Sequence, residues 1–180
     1  MDSRTSRAAS VSFVLYKCSL TLWSRIFVGH QEAVNCVEFH PNANYLISGS
    51  DDRSIRLWDI NSGKFERVFF MSNQGAYKTS VTCLSISPDG TKVAGGYDDG
   101  AIRIFDISSG SVQAEYFTKE PVEDIDYNSN GTLLCSISDK QIRVWGNKQE
   151  IIRLKPKLKS ANVVSSCQFN KVSNINCISA

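Results

Sequence analysis

The sequence lacks the clustered ligands that metal and redox sites require. It has six cysteines but no Cys-x-x-Cys pair, and its two histidines, His30 and His40, stand apart. A zinc site or a disulfide framework would need grouped ligands or characteristic cysteine spacings. Cys36 and Cys83 instead occupy the same place in a repeated pattern, which is typical of small buried apolar residues. We therefore expect no metal and no cofactor.

Long apolar runs and a strong charge imbalance are also missing. No stretch reaches the roughly 18 apolar residues of a membrane helix. Residues 11–23, preceded by Arg4 and Arg7, imitate a signal peptide, but Lys17 interrupts the run and no small-x-small cleavage site follows. The formal charge of +2 gives no reason to expect direct nucleic-acid contact. Reduced cysteines favour the cytosol or the nucleus.

What the sequence does contain is a short pattern that repeats. Residues 29–59 open with Gly-His, close with Trp-Asp, and hold three apolar runs, which begin at Val34, Tyr45 and Ser54. The turns between these runs are short and carry Pro41 and an Asp-Asp pair. Connections of two to five residues join antiparallel neighbours, so this unit is predicted to be a three-stranded meander.

The pattern recurs twice more. An aspartate is followed six residues later by an aromatic in the pairs Asp52 and Trp58, Asp99 and Phe105, and Asp139 and Trp145. The start of the first strand shifts along the sequence together with the aspartate. It begins at Val34, Val81, Val122 and, in an incomplete fourth repeat, Val164. Repeats of about 40–45 residues with four strands each are the sequence signature of a β-propeller.

These repeats resemble the WD-repeat family, and the resemblance covers roughly residues 25–180. It implies an all-β fold, a partial WD-repeat β-propeller of about four four-stranded blades from a seven-bladed ring. Residues 1–24 are predicted to be an atypical, partly disordered N-terminal segment. The predicted blades lie near residues 29–71, 77–117, 118–158 and, incompletely, 160–180. An open arc leaves blade faces and a strand edge uncovered, so we expect the isolated chain to be poorly stable.

The resemblance also implies a buried hydrogen-bonded chain in each complete repeat, formed by a histidine, a serine or threonine, the turn aspartate and the tryptophan. In the first repeat these residues are His30, Ser48, Asp52 and Trp58. Indole offers one donor, a hydroxyl can relay, imidazole can donate and accept, and a carboxylate accepts. Such a chain fixes strand register when every member is satisfied.

The other two repeats lack some of these residues. Repeat two keeps Asp99 but has Gly95 and Phe105 in the serine and tryptophan positions. Repeat three keeps Asp139 and Trp145, with Cys135 in the serine position and Thr118 in that of the histidine. Only the first repeat is therefore predicted to form the whole chain. The others should depend on apolar packing and on an aspartate that accepts from backbone N–H groups.

Ser48, His30 and Asp52 could alternatively be read as a hydrolase triad. The sequence has no strand-to-helix turn of the kind that presents a nucleophilic serine, so the structural interpretation is favoured. No convergent acid–base or metal constellation indicates an enzyme.

Exposed loop residues are the candidate partner contacts, because in the family such positions surround the mouth of the central channel. The predicted partner-binding residues are Gln31, Glu32, Asp51, Lys78, Asp98, Glu120 and Ser138. Residues 152–159 alternate apolar with basic side chains, Arg153 among them. This is typical of an edge strand protected against aggregation, and a basic stripe for an acidic partner is the alternative.

The run from Arg25 to Asp59 resembles WD repeats of the TBP-associated factors of TFIID. This implies a non-catalytic protein–protein interaction scaffold in RNA polymerase II transcription initiation, located in the nucleus and bound to histone-fold subunits. A SAGA-type coactivator subunit and a ubiquitin-ligase substrate receptor are the alternatives. Such receptors usually carry a cation two residues after Trp-Asp, where this chain has Asn61. Neither a small-molecule substrate nor a membrane is expected.

Overall fold

The computed structural model describes residues 11–16, 24–70, 79–139, 141–146, 149–154, 164–169 and 175–179. These residues form sixteen β-strands and no helix, so none of them forms a helix able to cross a membrane. The strands are β1 (Val11–Tyr16), β2 (Ser24–His30), β3 (Val34–Phe39), β4 (Tyr45–Ser50), β5 (Ile55–Asp59), β6 (Phe65–Phe69), β7 (Val81–Ile86), β8 (Lys92–Tyr97), β9 (Ala101–Asp106), β10 (Val112–Phe117), β11 (Asp124–Tyr127), β12 (Leu134–Ser138), β13 (Gln141–Gly146), β14 (Gln149–Leu154), β15 (Val164–Phe169) and β16 (Ile175–Ser179).

Twelve of the strands form three four-stranded antiparallel sheets in sequence order. We call them blade 1 (β3–β6), blade 2 (β7–β10) and blade 3 (β11–β14). The hairpins β1–β2 and β15–β16 are separate two-stranded sheets at the two ends of the series. This architecture confirms the predicted partial propeller built from four-stranded units.

The hydrophobic core lies between the blades. The first strand of each blade lies against that of the next, β3 beside β7, β7 beside β11 and β11 beside β15. One core cluster joins blade 1 to blade 2 and includes Ile47, Ile55, Phe69, Val81, Ile86 and Phe105. A second joins blade 2 to blade 3 and includes Ile102, Ile104, Tyr116, Val122, Tyr127 and Trp145. Burial between successive blades thus joins them into one arc.

The two contacts between blades carry the same polar links. Between blades 1 and 2, the side-chain amide of Asn35 donates to the backbone carbonyl of Val81 at 2.9 Å. Between blades 2 and 3, the hydroxyl of Thr82 donates to the backbone carbonyl of Val122 at 2.6 Å. Further along, the Ile86 N–H donates to a Glu38 carboxylate oxygen at 3.1 Å. In the next interface the Tyr127 N–H donates to the Ser85 hydroxyl at 3.2 Å.

Two glycines allow the blades to approach closely. A Cβ atom on Gly49 would lie 2.5 Å from a methyl of Val81, and one on Gly96 would lie 2.7 Å from a methyl of Val122. Both valines are fully buried or nearly so. Each glycine therefore serves close packing between blades.

The predicted basic edge strand lies only partly within the described residues. Arg153 is on β14, which pairs with β13 at the outer edge of blade 3. Its guanidinium makes two hydrogen bonds to the Glu150 carboxylate, at 2.7 and 2.8 Å. Lys155, Lys157 and Lys159 lie outside the described residues.

Candidate functional site

Blade 1 brings His30, Ser48, Asp52 and Trp58 into one hydrogen-bonded chain. The Trp58 indole N–H donates to the Ser48 hydroxyl at 2.7 Å. That hydroxyl lies 2.7 Å from His30 Nε2, and His30 Nδ1 lies 2.8 Å from Asp52 Oδ2. Because the Ser48 oxygen accepts from the indole, its own proton is free to be donated to Nε2. His30 Nδ1 then carries the ring proton and donates it to the carboxylate.

The chain ends on an ionised carboxylate. Burial of Asp52 opposes ionisation, but hydrogen bonds from His30, from Ser54 and from the Gln31 N–H outweigh this and hold its pKa far below the ordinary value. The Arg56 guanidinium adds a contact of 3.5 Å to Oδ2. The negative charge is therefore well satisfied at neutral pH.

This geometry does not present a nucleophile. Ser48, His30 and Trp58 are all fully buried. The Ser48 hydroxyl is engaged on one side by the indole and on the other by the imidazole, so no substrate carbonyl can reach it. The constellation therefore ties β2, β4 and β5 together through buried polar contacts.

Blade 2 replaces the polar chain by apolar packing. Phe105 is fully buried against Phe69, with ring centroids 5.6 Å apart. A Cβ atom on Gly95 would lie 2.5 Å from the terminal methyl of Ile55, so a serine there would require the Ile55 side chain to move. The Asp99 carboxylate accepts from the Ala101 N–H at 2.9 Å and lies 3.4 Å from the Arg103 guanidinium.

Blade 3 differs from the arrangement expected from the sequence. The Trp145 indole N–H donates to the hydroxyl of Ser136 at 2.8 Å. Trp145 pairs with Leu134 just as Trp58 pairs with Leu46, so Ser136 is the structural equivalent of Ser48. The assignment of Cys135 to this position was wrong. That assignment placed the serine position at a fixed distance before the turn aspartate. The distance changes in blade 3, because the turn between its second and third strands is shorter than the one in blade 1.

The shorter turn also changes the surroundings of Asp139. Ser138 pairs directly with Gln141 across this turn, whereas in blade 1 the last pair, Gly49 and Ile55, encloses a longer loop. Asp139 is exposed and takes a left-handed φ of 50°.

Thr118 donates to the carbonyls of Gly100 and Glu120 and so caps the turn of blade 2.

Most of the predicted partner-binding residues lie at one end of the blades. There the loops leading into each first strand bond to the turns between second and third strands. The Gln31 N–H donates to Asp52, the Ser80 N–H to Asp98 at 2.9 Å, and the Ser138 hydroxyl to the Glu120 carbonyl at 2.8 Å. We call these loops the loop face; they comprise residues 31–33, 51–53, 79–80, 98–100, 118–121 and 139.

Individual residues of this set differ in exposure. Gln31, Glu32, Asp98 and Glu120 are exposed, whereas Asp51 is half-buried and accepts from the Asn35 amide. Lys78 lies outside the described residues. Ser138 is fully buried, contrary to its prediction as an exposed turn residue. Strand pairing makes Ser138 the equivalent of Ser50, not of Asp51. The shorter turn of blade 3 causes this shift, as it does for Ser136 and Ser48.

Aromatic pairs between successive blades are a feature that the sequence reasoning missed. The third-strand aromatic of each blade packs on an aromatic of the preceding outer strand: Trp58 on Phe27, Phe105 on Phe69, and Trp145 on Tyr116. The two members of a pair are separated by connectors of different length, so no constant spacing reveals them.

Cys36, Cys83 and Cys135 lie on strands β3, β7 and β12. No group of side chains in the described part of the chain could hold a metal ion. Cys36 and Cys83 are free thiols. Burial raises the pKa of both Cys36 and Cys83 well above the ordinary thiol value, which keeps them protonated. Their packing beside Gly49 and Gly96 is structural.

A family model described as the WD domain, G-beta repeat, matches residues 21–59, 68–106 and 110–146. These ranges cover more than half of the sequence. The chain belongs to the WD40 family. WD40 propellers generally act as non-catalytic scaffolds for protein–protein interaction.

Several curated WD40 proteins share part of the chain. It is 49% identical over 45 residues to transcription initiation factor TFIID subunit 5 of Caenorhabditis elegans, covering 25% of this chain and 7% of that protein. It is 58% identical over 40 residues to a lissencephaly-1 homolog of Paramecium tetraurelia, covering 22% and 10%. It is 41% identical over 59 residues to ribosome biogenesis protein bop1-B of Xenopus laevis, covering 33% and 8%. The matches span a tenth or less of each relative.

The WD40 arc also resembles solved structures. It superposes on the crystal structure of the RRP9 WD40 repeats with a TM-score of 0.71 and 23% identity, over 79% of this chain and 44% of that one. The structure named U3-55K gives the same values. At this identity the likeness shows the fold alone.

Proposed function

We propose that this WD40 chain is a non-catalytic scaffold of a TFIID-type transcription initiation complex. Its partners would be other protein subunits, histone-fold TBP-associated factors by resemblance, and it would act in the nucleus. The observation that carries this proposal is the 49% identity to TFIID subunit 5, a protein whose name places it in transcription initiation.

The charge of the loop face supports a protein partner with basic residues. Apart from Asp52, exposed or half-buried carboxylates in the described loops belong to Glu32, Asp51, Asp98, Asp99, Glu120 and Asp139. The described cations at this end are Arg53 and Lys119. Asp52 does not contribute to recognition, because it is hydrogen-bonded to His30 and its carboxylate lies 3.5 Å from the Arg56 guanidinium. An excess of carboxylates steers and orients a basic surface.

Charge reversal at the loop face tests the proposal. The tagged full chain is used to capture proteins from nuclear extract, which are identified by mass spectrometry and then confirmed with purified subunits. The variant Glu32→Lys/Asp98→Lys is compared with Glu66→Lys, an exposed glutamate on the outer strand β6. We expect histone-fold subunits to bind the parent chain and the Glu66 variant, and binding to fall about tenfold or more in the loop-face variant.

The identity of the captured proteins decides between scaffolds. Ubiquitin-ligase adaptors, or a SAGA-type set without TFIID subunits, would overturn the TFIID assignment. Equal capture by the loop-face variant would overturn the assignment of the surface. A ribosome-biogenesis scaffold is the second candidate, because the likeness to bop1-B covers 33% of this chain, more than the likeness to TFIID subunit 5. Capture of pre-ribosomal proteins would favour it.

A further inference from the structure

An open cleft lies between blades 2 and 3, at the end of the blades opposite the loop face. Its volume is about 380 Å³, within the range of about 300–1,000 Å³ that is usual for ligand sites. The buried side chains that line it include Tyr116, Tyr127, Leu134 and Trp145, and the exposed ones include Lys92 and Gln113. We call this site the interblade cleft.

The same place between blades 1 and 2 is filled by two side chains. Strand and turn pairing makes His40 and Tyr45 of blade 1 the equivalents of Ser87 and Lys92 of blade 2. The His40 imidazole donates to the Gly90 carbonyl at 2.8 Å, and its ring lies edge-on to that of Tyr45, with centroids 6.0 Å apart. A Cβ atom on Gly90 would lie only 2.5 Å from the imidazole, so the ring rests directly on this glycine.

The equivalent residues of blade 2 leave the next place open. The Ser87 hydroxyl bonds within its own turn and does not reach blade 3 in this way. Gly131 takes the place of Gly90 in the corresponding turn of blade 3. Among the described residues, a Cβ atom on Gly131 would meet only Pro88 and Ser87 within 4 Å, and neither closer than 3.4 Å. The interblade cleft is therefore the space that His40 fills one blade earlier.

The cleft contains a buried hydroxyl that has no partner. Tyr127 lines it, where the preceding interface has the apolar Ile86. Tyr127 is 8% exposed, and its hydroxyl makes no hydrogen bond to any residue that the structure describes. Burial, with Tyr116 and Asp89 nearby, raises the pKa of Tyr127, so the hydroxyl keeps its proton. Buried polar groups are normally hydrogen-bonded, which points to a ligand that supplies the missing bond.

The rest of the cleft favours an aromatic ring beside a carboxylate. The rings of Tyr116 and Trp145 are stacked, with centroids 4.8 Å apart, and they give an apolar surface on which a further ring can pack. Lys92 is exposed, and the ion pairs among the described residues do not include it. The nearby Asp89 carboxylate instead accepts from hydroxyls of its own turn. An incoming carboxylate would complement the ammonium group.

We propose that the interblade cleft binds a tyrosine of a partner protein, flanked there by acidic residues. The guest ring takes the place that His40 fills in the preceding interface. Its phenol exchanges a hydrogen bond with the Tyr127 hydroxyl, and a flanking carboxylate meets the ammonium group of Lys92. A phenol suits this position better than an imidazole, because it brings no positive charge close to Lys92. The cleft is remote from the loop face, so this proposal does not rest on the TFIID-type partner.

Peptide binding to the full 180-residue chain tests the proposal. The probe is acetyl-Gly-Glu-Tyr-Glu-Gly-amide, titrated while backbone amide chemical shifts of the protein are followed by NMR. The largest shifts should fall on residues that line the cleft. Replacing the peptide's tyrosine by phenylalanine should weaken binding about fivefold, since one hydrogen bond is lost. Replacing it by alanine should weaken binding about tenfold or more, since the ring contact is lost as well.

Variants of the chain locate the contact. Tyr127→Phe should weaken binding of the tyrosine peptide about fivefold and leave the phenylalanine peptide unchanged, because both changes remove the same hydrogen bond. Its matched control is Tyr45→Phe, in the filled place one blade earlier. Lys92→Glu should weaken binding of the tyrosine peptide about tenfold. Its control is Lys64→Glu, at an exposed lysine between β5 and β6 of blade 1. Circular dichroism establishes that each variant keeps the parent β-sheet spectrum.

Each outcome supports or rejects the site. Coupling between Tyr127→Phe and the peptide's tyrosine, together with loss on Lys92→Glu and not on Lys64→Glu, supports it. Equal losses for both peptides on Tyr127→Phe would reject the phenol contact. No binding of the tyrosine peptide at millimolar concentration would overturn the site. Binding of para-hydroxyphenylacetate without binding of the peptide would reject a protein partner. Capture of subunits by the loop face is measured separately, so failure here leaves that proposal standing.

Discussion

The indole of Trp58 lies edge-on against the ring of Phe27, with centroids 5.7 Å apart and an interplanar angle of 75°. One residue therefore has two roles, because its ring packs β2 onto blade 1 while its N–H donates to Ser48. Phenylalanine in the equivalent place of blade 2, Phe105, keeps only the first role. The polar and apolar roles of this position can thus be separated by mutation.

The change Trp58→Phe should lower the free energy of unfolding by about 1–3 kcal/mol. The phenyl ring retains much of the contact with Phe27, but Ser48 loses its donor in a fully buried setting. Urea denaturation followed by circular dichroism measures the cost. In a Ser48→Ala background the same change should cost clearly less. An equal cost in both backgrounds would show that the hydrogen bond contributes nothing.

A second double-mutant cycle tests the register found in blade 3. Ser136→Ala and Trp145→Phe should show a coupling energy of about 1 kcal/mol, because each removes one end of the same buried hydrogen bond. The matched cycle of Cys135→Ala with Trp145→Phe should show no coupling beyond about 0.5 kcal/mol. The opposite ranking would restore Cys135 as the equivalent of Ser48.

Repeat spacing predicted the partial propeller and the family resemblance implied the residues that meet in blade 1, but neither predicted the pairing in blade 3. Val34 and Val81 begin β3 and β7, and Val122 lies two residues before β11, so hydrophobic period and turn residues determine most of the fold. Ser136 escaped prediction because a shorter turn shifts every preceding residue relative to the turn aspartate, and only strand pairing reveals the shift. The buried state of Ser138 has the same origin.

The close contact between blades 1 and 2 predicts that Gly49→Ala is destabilising. The added methyl would lie 2.5 Å from a Val81 methyl in a fully buried place, and overpacking of this kind costs about 1–3 kcal/mol. Adding Val81→Ala should recover part of that loss, since it removes the atoms in conflict. Thermal melts of the two single variants and the double variant measure this. Strictly additive losses would mean that Gly49 acts through its backbone instead.

Glu38 gives the same interface a pH dependence. Burial between the blades raises the pKa of its carboxyl from 4.5 to about 7, with Asp126 adding to the effect and the Ile86 N–H opposing it. Below pH 4.5 the group is protonated in both the folded and the unfolded chain. Between pH 4.5 and 7 only the unfolded chain ionises, so stability from this group is lost as the pH rises.

The variant Glu38→Gln should therefore be more stable than the parent at pH 8, by about 1–2 kcal/mol after allowance for partial exposure. The amide oxygen can still accept from the Ile86 N–H, and it has no charge to desolvate. At pH 4.5 the two proteins should differ little, and the gap should open as the pH approaches 7. Urea unfolding at pH 4.5, 6 and 8 measures it, with the exposed Glu66→Gln as control. A gap that stays constant with pH would show that Glu38 ionises normally in the folded chain.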